Sequence, residues 1–210
     1  MGTKRTKMTE QEPYLIDILF DGDGGTREEI LAATFKALHE HGYSELTVDD
    51  IGDEFEKSQS LIYHHYDSKD EVLLDLLELM IEHFESHKPG TYVSDPRDRI
   101  KTFVEMSVGL ESMDRTAAGT FTELRAQAIH DDDYREQFVK YDEVIQEALA
   151  DDIRKGIEAG AFRDVDAERM ATWLYTVTVG TTFRSVTAGD SWIDMNEEEV
   201  NSHLENVLYR

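Results

Sequence analysis

The chain has 210 residues, 40% of them hydrophobic and none a cysteine, which suits one large core or two modest ones and excludes a disulfide framework and a cysteine nucleophile. The 46 acidic side chains outnumber the 21 basic ones along the whole length, giving a net charge of -25; a solvated surface for very high salt, a surface for a basic partner and a nucleic-acid mimic compete as readings, and the interleaving of acids with helical apolar periodicity favours the first. With no run of about 18 apolar residues and no apolar secretion segment at the N-terminus, the expectation is a cytoplasmic protein.

Almost every segment reads as helix. Residues 1–25 form a leader or arm, with the basic cluster Lys4, Arg5 and Lys7. An apolar patch at residues 14–20 suits either two helical turns or a short strand. The first firm helix opens at Thr26, with Glu29 placed for a capping box. Its inner stripe is Ile30, Leu31, Thr34, Phe35 and Leu38, and Gly42 lies just past its end. Thr47 starts a second helix with Asp50 in the box position and Val48, Ile51 and Phe55 inside. Ser58 is expected to cap a third helix. Ser68 with Glu71 forms another box and opens a long helix with Val72, Leu73, Leu76, Leu77, Met80 and Phe84 on one face. Residues 87–96 form a linker rich in turn formers. Helical patterns then cover residues 97–113, 117–130, 133–159, 166–188 and 196–209. Residues 174–183 (LYTVTVGTTF) are locally strand-like in composition, and their surroundings favour helix.

The stretch of residues 47–69, TVDDIGDEFEKSQSLIYHHYDSK, packs two short helices and the start of a third into one compact unit. That is the pattern of a helix-turn-helix, which lays a recognition helix in the DNA major groove. A start at Ser58 turns Gln59, Ser60, Leu61 and Tyr63 toward the groove and Ile62 toward the core. Gln59 suits adenine and Leu61 a thymine methyl. Thr47, Tyr63, His64 and Lys69 are candidates for phosphate contacts. The leader cations could reach an adjacent groove, or be a plain tail.

Residues 27–84 resemble the DNA-binding domain of the TetR family of transcriptional regulators. The carriers are Gly42-Tyr43, Thr47-Val48-Asp49-Asp50-Ile51-Gly52 and Ile62-Tyr63-His64-His65-Tyr66-Asp67-Ser68-Lys69. A fainter echo lies at residues 156–171. The chain departs from the family pattern at Phe55-Glu56-Lys57, at Asp49, where the family often has a basic residue, and at Ser58-Gln59-Ser60-Leu61. The resemblance implies an all-α protein. An N-terminal three-helix helix-turn-helix domain (residues 26–70) would precede a C-terminal helical bundle (residues 71–210) that senses ligand and dimerises. It also implies DNA contacts at Tyr63 and His64, with Tyr66 mostly in the core.

The implied function is that of a ligand-responsive repressor bound to a palindromic operator on double-stranded DNA as a homodimer. The alternative is an acidic helical interaction module that has lost DNA binding. By resemblance the last two helices dimerise, with Leu174, Thr178 and Thr181 on the first and Val200, Leu204, Val207 and Leu208 on the second; the same stripes could instead close the protomer's own core. For a small-molecule effector, Phe103, Met106, Leu110 and Met113 supply one apolar pattern. Phe121 with Arg125, and Trp173 with Thr176, supply the next two. Plain core is the competing reading of each. His83 and His87 have a spacing that can hold zinc, but a solvated face suits them better, so no metal is expected. No glycine-rich phosphate loop occurs, and pairs of acids arise by chance at this composition. Neither an enzyme nor a cofactor is expected.

Overall fold

The structure, a computed structural model, describes Phe20 and residues 25–86, 95–108 and 115–210. Among these residues there is no strand, and the helices are α1 (Thr26–Glu45), α2 (Val48–Glu54), α3 (Ser60–His65), α4 (Lys69–Ser86), α5 (Pro96–Val108), α6 (Arg115–Gln127), α7 (Asp132–Glu158), α8 (Ala167–Thr187) and α9 (Ile193–His203). A π-helical turn, Leu204–Leu208, extends α9. No helix of the described residues is long and apolar enough to cross a membrane. The leader cations Lys4, Arg5 and Lys7, the linker at 87–94, and Leu110 and Met113 lie outside the described residues.

Local chemistry sets most helix ends. Gly42 adopts φ +70° and kinks α1 near its C-terminus, where its carbonyl accepts the Leu46 N–H. Thr47 and Asp50 form the expected reciprocal box: the Asp50 N–H donates to Thr47 Oγ1 at 3.2 Å, and the Thr47 N–H to Asp50 Oδ2 at 2.8 Å. Asp131 and Asp166 cap α7 and α8 through their carboxylates. Gly160, at φ +73°, stands just past the end of α7.

Two of the expected caps differ. Gly25, not Thr26, stands at the N-cap of α1, and a glycine has no side chain to cap with; the Glu29 carboxylate pairs with Lys57. Ser58 caps nothing through its side chain: its hydroxyl meets that of Ser60 at 2.8 Å, and α3 begins at Ser60. The strand-like run in α8 is helical. Thr176 and Thr178 return their hydroxyls to the carbonyls of Thr172 and Leu174 at 2.7 and 3.0 Å, so these β-branched polar residues are satisfied within the helix.

Two buried clusters hold the chain. The first runs from Ile30, Leu31, Leu38 and Ile51 through Ile62 and Tyr66 to Leu73, Leu76 and Leu77, and includes Leu124, Tyr134 and Phe138 from α6 and α7. It is continuous across residue 70, so α4 packs on both the N-terminal helices and the bundle. The second joins Ile100 and Val104 of α5 to Ile145, Leu149 and Ile153 of α7, Leu174 of α8, and Val200, Leu204 and Leu208 at the C-terminus. Burying a side chain of this kind contributes roughly 1.5–3 kcal/mol.

Candidate nucleic-acid interface

Helices α2 and α3 are oriented by what they bury. Ile51 of α2 and Ile62 of α3 are fully buried, and Phe55 and Tyr66 nearly so. The opposite side of α3 is left to solvent: Ser60, His64 and His65 are exposed, and Tyr63 is 54% exposed. Gln59 is half-buried at the N-cap of α3, and Leu61 packs against the first core from a half-buried position.

One carboxylate joins the two helices. Asp49 Oδ1 accepts a hydrogen bond from Gln59 Nε2 at 2.7 Å and another from the Tyr63 hydroxyl at 3.0 Å. The bond to Asp49 raises the Tyr63 phenol above its ordinary range. Gln59 lies across Gly52, where an added Cβ would come within 2.7 Å of its Cγ and 2.8 Å of its Nε2. Asp49 and Gly52 are the neighbours that the sequence alone does not connect to Gln59. The signal was the i, i+3 spacing that puts both on one side of α2.

The expected phosphate ligands fall into two groups. His64 stands exposed, as a contact needs; Tyr63 is exposed as well, but its one hydroxyl proton is given to Asp49 Oδ1. Thr47 has both its donors committed, since its N–H and its hydroxyl each donate to Asp50 Oδ2 at 2.8 and 2.6 Å. It has no proton for a phosphate while that cap stands. Lys69 is half-buried, donates to the Tyr43 carbonyl at 2.7 Å and lies 4.5 Å from the centre of the Tyr43 ring, which leaves two of its three ammonium protons for other partners.

The helix-turn-helix domain is tied to the bundle at the same place. The Tyr43 N–H donates to Glu123 Oε2 of α6 at 2.6 Å. The hydroxyls of Tyr43 and of Tyr134 on α7 both donate to Asp70 Oδ1, at 2.8 and 3.1 Å. Burial, helped by the bond to Asp70, pushes the Tyr43 phenol up to about 12. Farther along α4, Asp75 takes the Arg27 Nε at 3.0 Å and the Tyr66 hydroxyl. Burial alone would raise the Asp75 carboxyl, but these donors hold it below its ordinary range.

In the bundle, two of the expected effector residues among those described stand side by side. Phe121 and Arg125 lie together on α6. Arg125 donates to both oxygens of Asp142 at 2.9 and 2.6 Å, and the Tyr175 hydroxyl donates to Asp142 Oδ1 at 2.6 Å. The Phe138 ring centre is 5.1 Å from the guanidinium, and Phe121 packs on Phe138 and Tyr141 at 5.2 and 5.1 Å. Phe103 is buried in the second core. Trp173 stacks on His203 at 4.1 Å, and Thr176 is exposed. Met106 belongs to α5. Asp142, Tyr141 and Tyr175 were missed. An acid four residues after Phe138 and three before Ile145, on the buried side of α7, was the available signal.

The expected dimer residues face inward. Leu174, Thr178, Thr181, Val200, Leu204 and Leu208 are all buried within the protomer, at 8% exposure or less. Leu174, Val200, Leu204 and Leu208 are members of the second core. Val207 alone is exposed, at 36%. A helical stripe identifies a buried face without saying whose side chains cover it, and here the chain's own helices do. The outward face of α8 carries Thr172, Thr176, Gly180, Phe183 and Thr187 instead, with Phe183 57% exposed and Met195 of α9 65% exposed.

Residues 30–76 match the family profile for bacterial regulatory proteins of the tetR family, and residues 96–208 match that of the BetI-type transcriptional repressor C-terminal domain. The HTH-type transcriptional repressor AcnR of Corynebacterium diphtheriae is 26% identical over 84% of this chain and 92% of its own length. Among solved structures, a TetR transcription regulator from Haloarcula marismortui superposes with a TM-score of 0.77 at 30% identity, covering 87% of this chain and 97% of that one. Reduced NemR of E. coli gives 0.73 at 19% identity, over 87% and 96%, a likeness of fold.

Proposed function

Because the chain belongs to the TetR family of transcriptional regulators, we propose that it is a repressor that binds a palindromic operator as a two-fold dimer and leaves it when a small molecule binds the bundle. The observation that carries this reading is α3. Ile62 and Tyr66 anchor it, while Gln59, Ser60, Tyr63 and His64 line its free side. A short helix so held can enter a major groove with base-reading and phosphate-binding groups foremost. Gln59 and Leu61 are assigned to bases, and Ser58 and Ser60 to either bases or phosphates. His64 and Lys69 are assigned to phosphates, while the Tyr63 hydroxyl, its proton on Asp49, is left to hold that carboxylate. The partner copy is assigned to the outward face of α8, where Phe183 stands exposed.

The effector is assigned to the surroundings of Arg125, where aromatic walls enclose an ion pair. A ligand that separates Arg125 from Asp142 would displace α6, and Glu123, two residues away on that helix, holds the Tyr43 amide of the reading head. The effector must favour one setting of the two reading heads over the other, since equal affinity for both shifts nothing. A mobility shift in roughly 1 M KCl, where screening acts within about 3 Å, against the DNA upstream of the chain's own gene, tests the proposal. A discrete complex that survives excess unrelated duplex is expected. No complex at any salt would favour an interaction module that has lost DNA binding.

A further inference from the structure

We propose that Asp49 is a specificity-determining positioning residue that fixes the Gln59 carboxamide in one of its two amide orientations; this rests on the DNA-binding reading above. A carboxamide carries two N–H donors at one end and a carbonyl oxygen at the other, and the ends are nearly equal in size. An unrestrained glutamine therefore presents either end to a base. An ionised carboxylate is acceptor-only. With Gln59 Nε2 donating to Asp49 Oδ1 at 2.7 Å, a half-turn of the amide would set two oxygens against each other with no proton between them. One N–H and Oε1 stay uncommitted, and these are the donor and acceptor that adenine N7 and N6 require for a bidentate pair.

Two further contacts complete the seat. The Tyr63 hydroxyl donates to the same Asp49 oxygen at 3.0 Å, which holds the carboxylate between α2 and α3. Gly52 supplies the floor. The Gln59 side chain crosses it so closely that a Cβ there would sit 2.7 Å from Cγ and 2.8 Å from both Cδ and Nε2. A methyl group at position 52 expels the glutamine from its place beside Asp49. A carboxylate on a surface that meets phosphates also lowers affinity for every DNA sequence alike. Asp49 thus has two separable effects, a charge that acts on all sequences and an orientation that acts on one base.

Selection from a pool of duplexes with a randomised core, using the full-length chain, separates them. The wild type should enrich adenine at one position per half-site, and Gln59→Ala should lose that enrichment. Asp49→Asn removes the charge and offers Gln59 both a donor and an acceptor, so both amide orientations become available. It should bind all duplexes more tightly while adenine preference at the Gln59 position falls roughly tenfold. Gly52→Ala keeps the charge and should lose the same preference with no gain on unselected DNA. Its melting temperature should be unchanged or higher, since Ala favours helix over Gly by about 1 kcal/mol and the displaced atoms belong to a flexible side chain. If Gly52→Ala does not fold, Asp49→Asn decides alone. Retention of the wild-type preference by the folded variants, or loss at a position other than that of Gln59→Ala, overturns the proposal and leaves Asp49 a charge only. Enrichment of nothing by the wild type overturns the DNA-binding reading, and this proposal with it.

Discussion

A methyl group added at Gly156 has a very different consequence from one at Gly52. At Gly156, on α7, the new Cβ would lie 2.1 and 2.2 Å from two ring carbons of Phe162. Phe162 is fully buried, its ring stacks at 5.4 Å on that of Tyr209, and its N–H donates to the Gly156 carbonyl. The ring has nowhere to go, whereas Gln59 can swing into water. Gly156→Ala should cost about 1–3 kcal/mol as overpacking, read as a fall in melting temperature, while Gly52→Ala should show none. Asp75 gives a second prediction. Its carboxyl is held below its ordinary range by Arg27 and Tyr66 despite burial, so its stabilising effect is present above the unfolded carboxylate range and is lost as pH falls through the folded value. Asp75→Asn should cost about 1–2 kcal/mol near neutral pH, discounted because Arg27 remains partly exposed. The gap in melting temperature between variant and wild type should close below about pH 4.

Among the elements, α8 carries the sharpest test of assembly. Its inward face is used by the second core, so the proposed partner copy would meet the outward stripe from Thr172 to Thr187. Phe183→Glu places a charge in the middle of that stripe and leaves the protomer's own core untouched. Light scattering in about 2 M KCl, where charge repulsion is screened, should give twice the 24.1 kDa chain mass for the wild type and the single mass for the variant. A wild-type monomer at micromolar concentration would remove the palindrome from the account. Helix positions were legible in the sequence where the cause is local. The Thr47–Asp50 box has both partners within one turn, and the apolar stripe of α4 reads directly as its buried face. The Ser58 cap was misread because the nearby Ser60 hydroxyl competes for it. The stripe of Leu174, Thr178 and Thr181 leaves two readings open in the sequence, a dimer seam or the protomer's own core, because periodicity cannot distinguish a neighbour in the same chain from one in a second copy. The Arg125–Asp142–Tyr175 group and the Asp49–Gln59 contact were illegible for a related reason. Each joins residues on separate helices, and only packing brings them within hydrogen-bond distance.

At the scale of the molecule, the charge decides how DNA is met. Between Arg27 and Tyr66, nine acidic side chains stand against three basic ones. Most DNA-binding proteins lose affinity steeply as salt rises, because cations released from phosphates gain less entropy. On the proposed docking, carboxylates would meet phosphates, and cations would have to be kept or taken up between them. Operator affinity should therefore be flat or rising with KCl between about 0.5 and 2 M, where screening acts within roughly 3–4 Å. Asp49→Asn should restore a more negative slope, and more so than neutral replacements of Asp53 or Glu56. On the proposed function, this acidic surface reads DNA sequence as a pair of α3 helices. Fluorescence anisotropy of the selected duplex and of a scrambled duplex, titrated with the full-length chain through that KCl series, tests it most directly. Saturation at two protomers per palindromic duplex is expected, with an affinity that does not fall with salt and much weaker binding to the scrambled duplex. Equal affinity for the two duplexes, or a steep fall with a slope near that of six or more released cations, would contradict it.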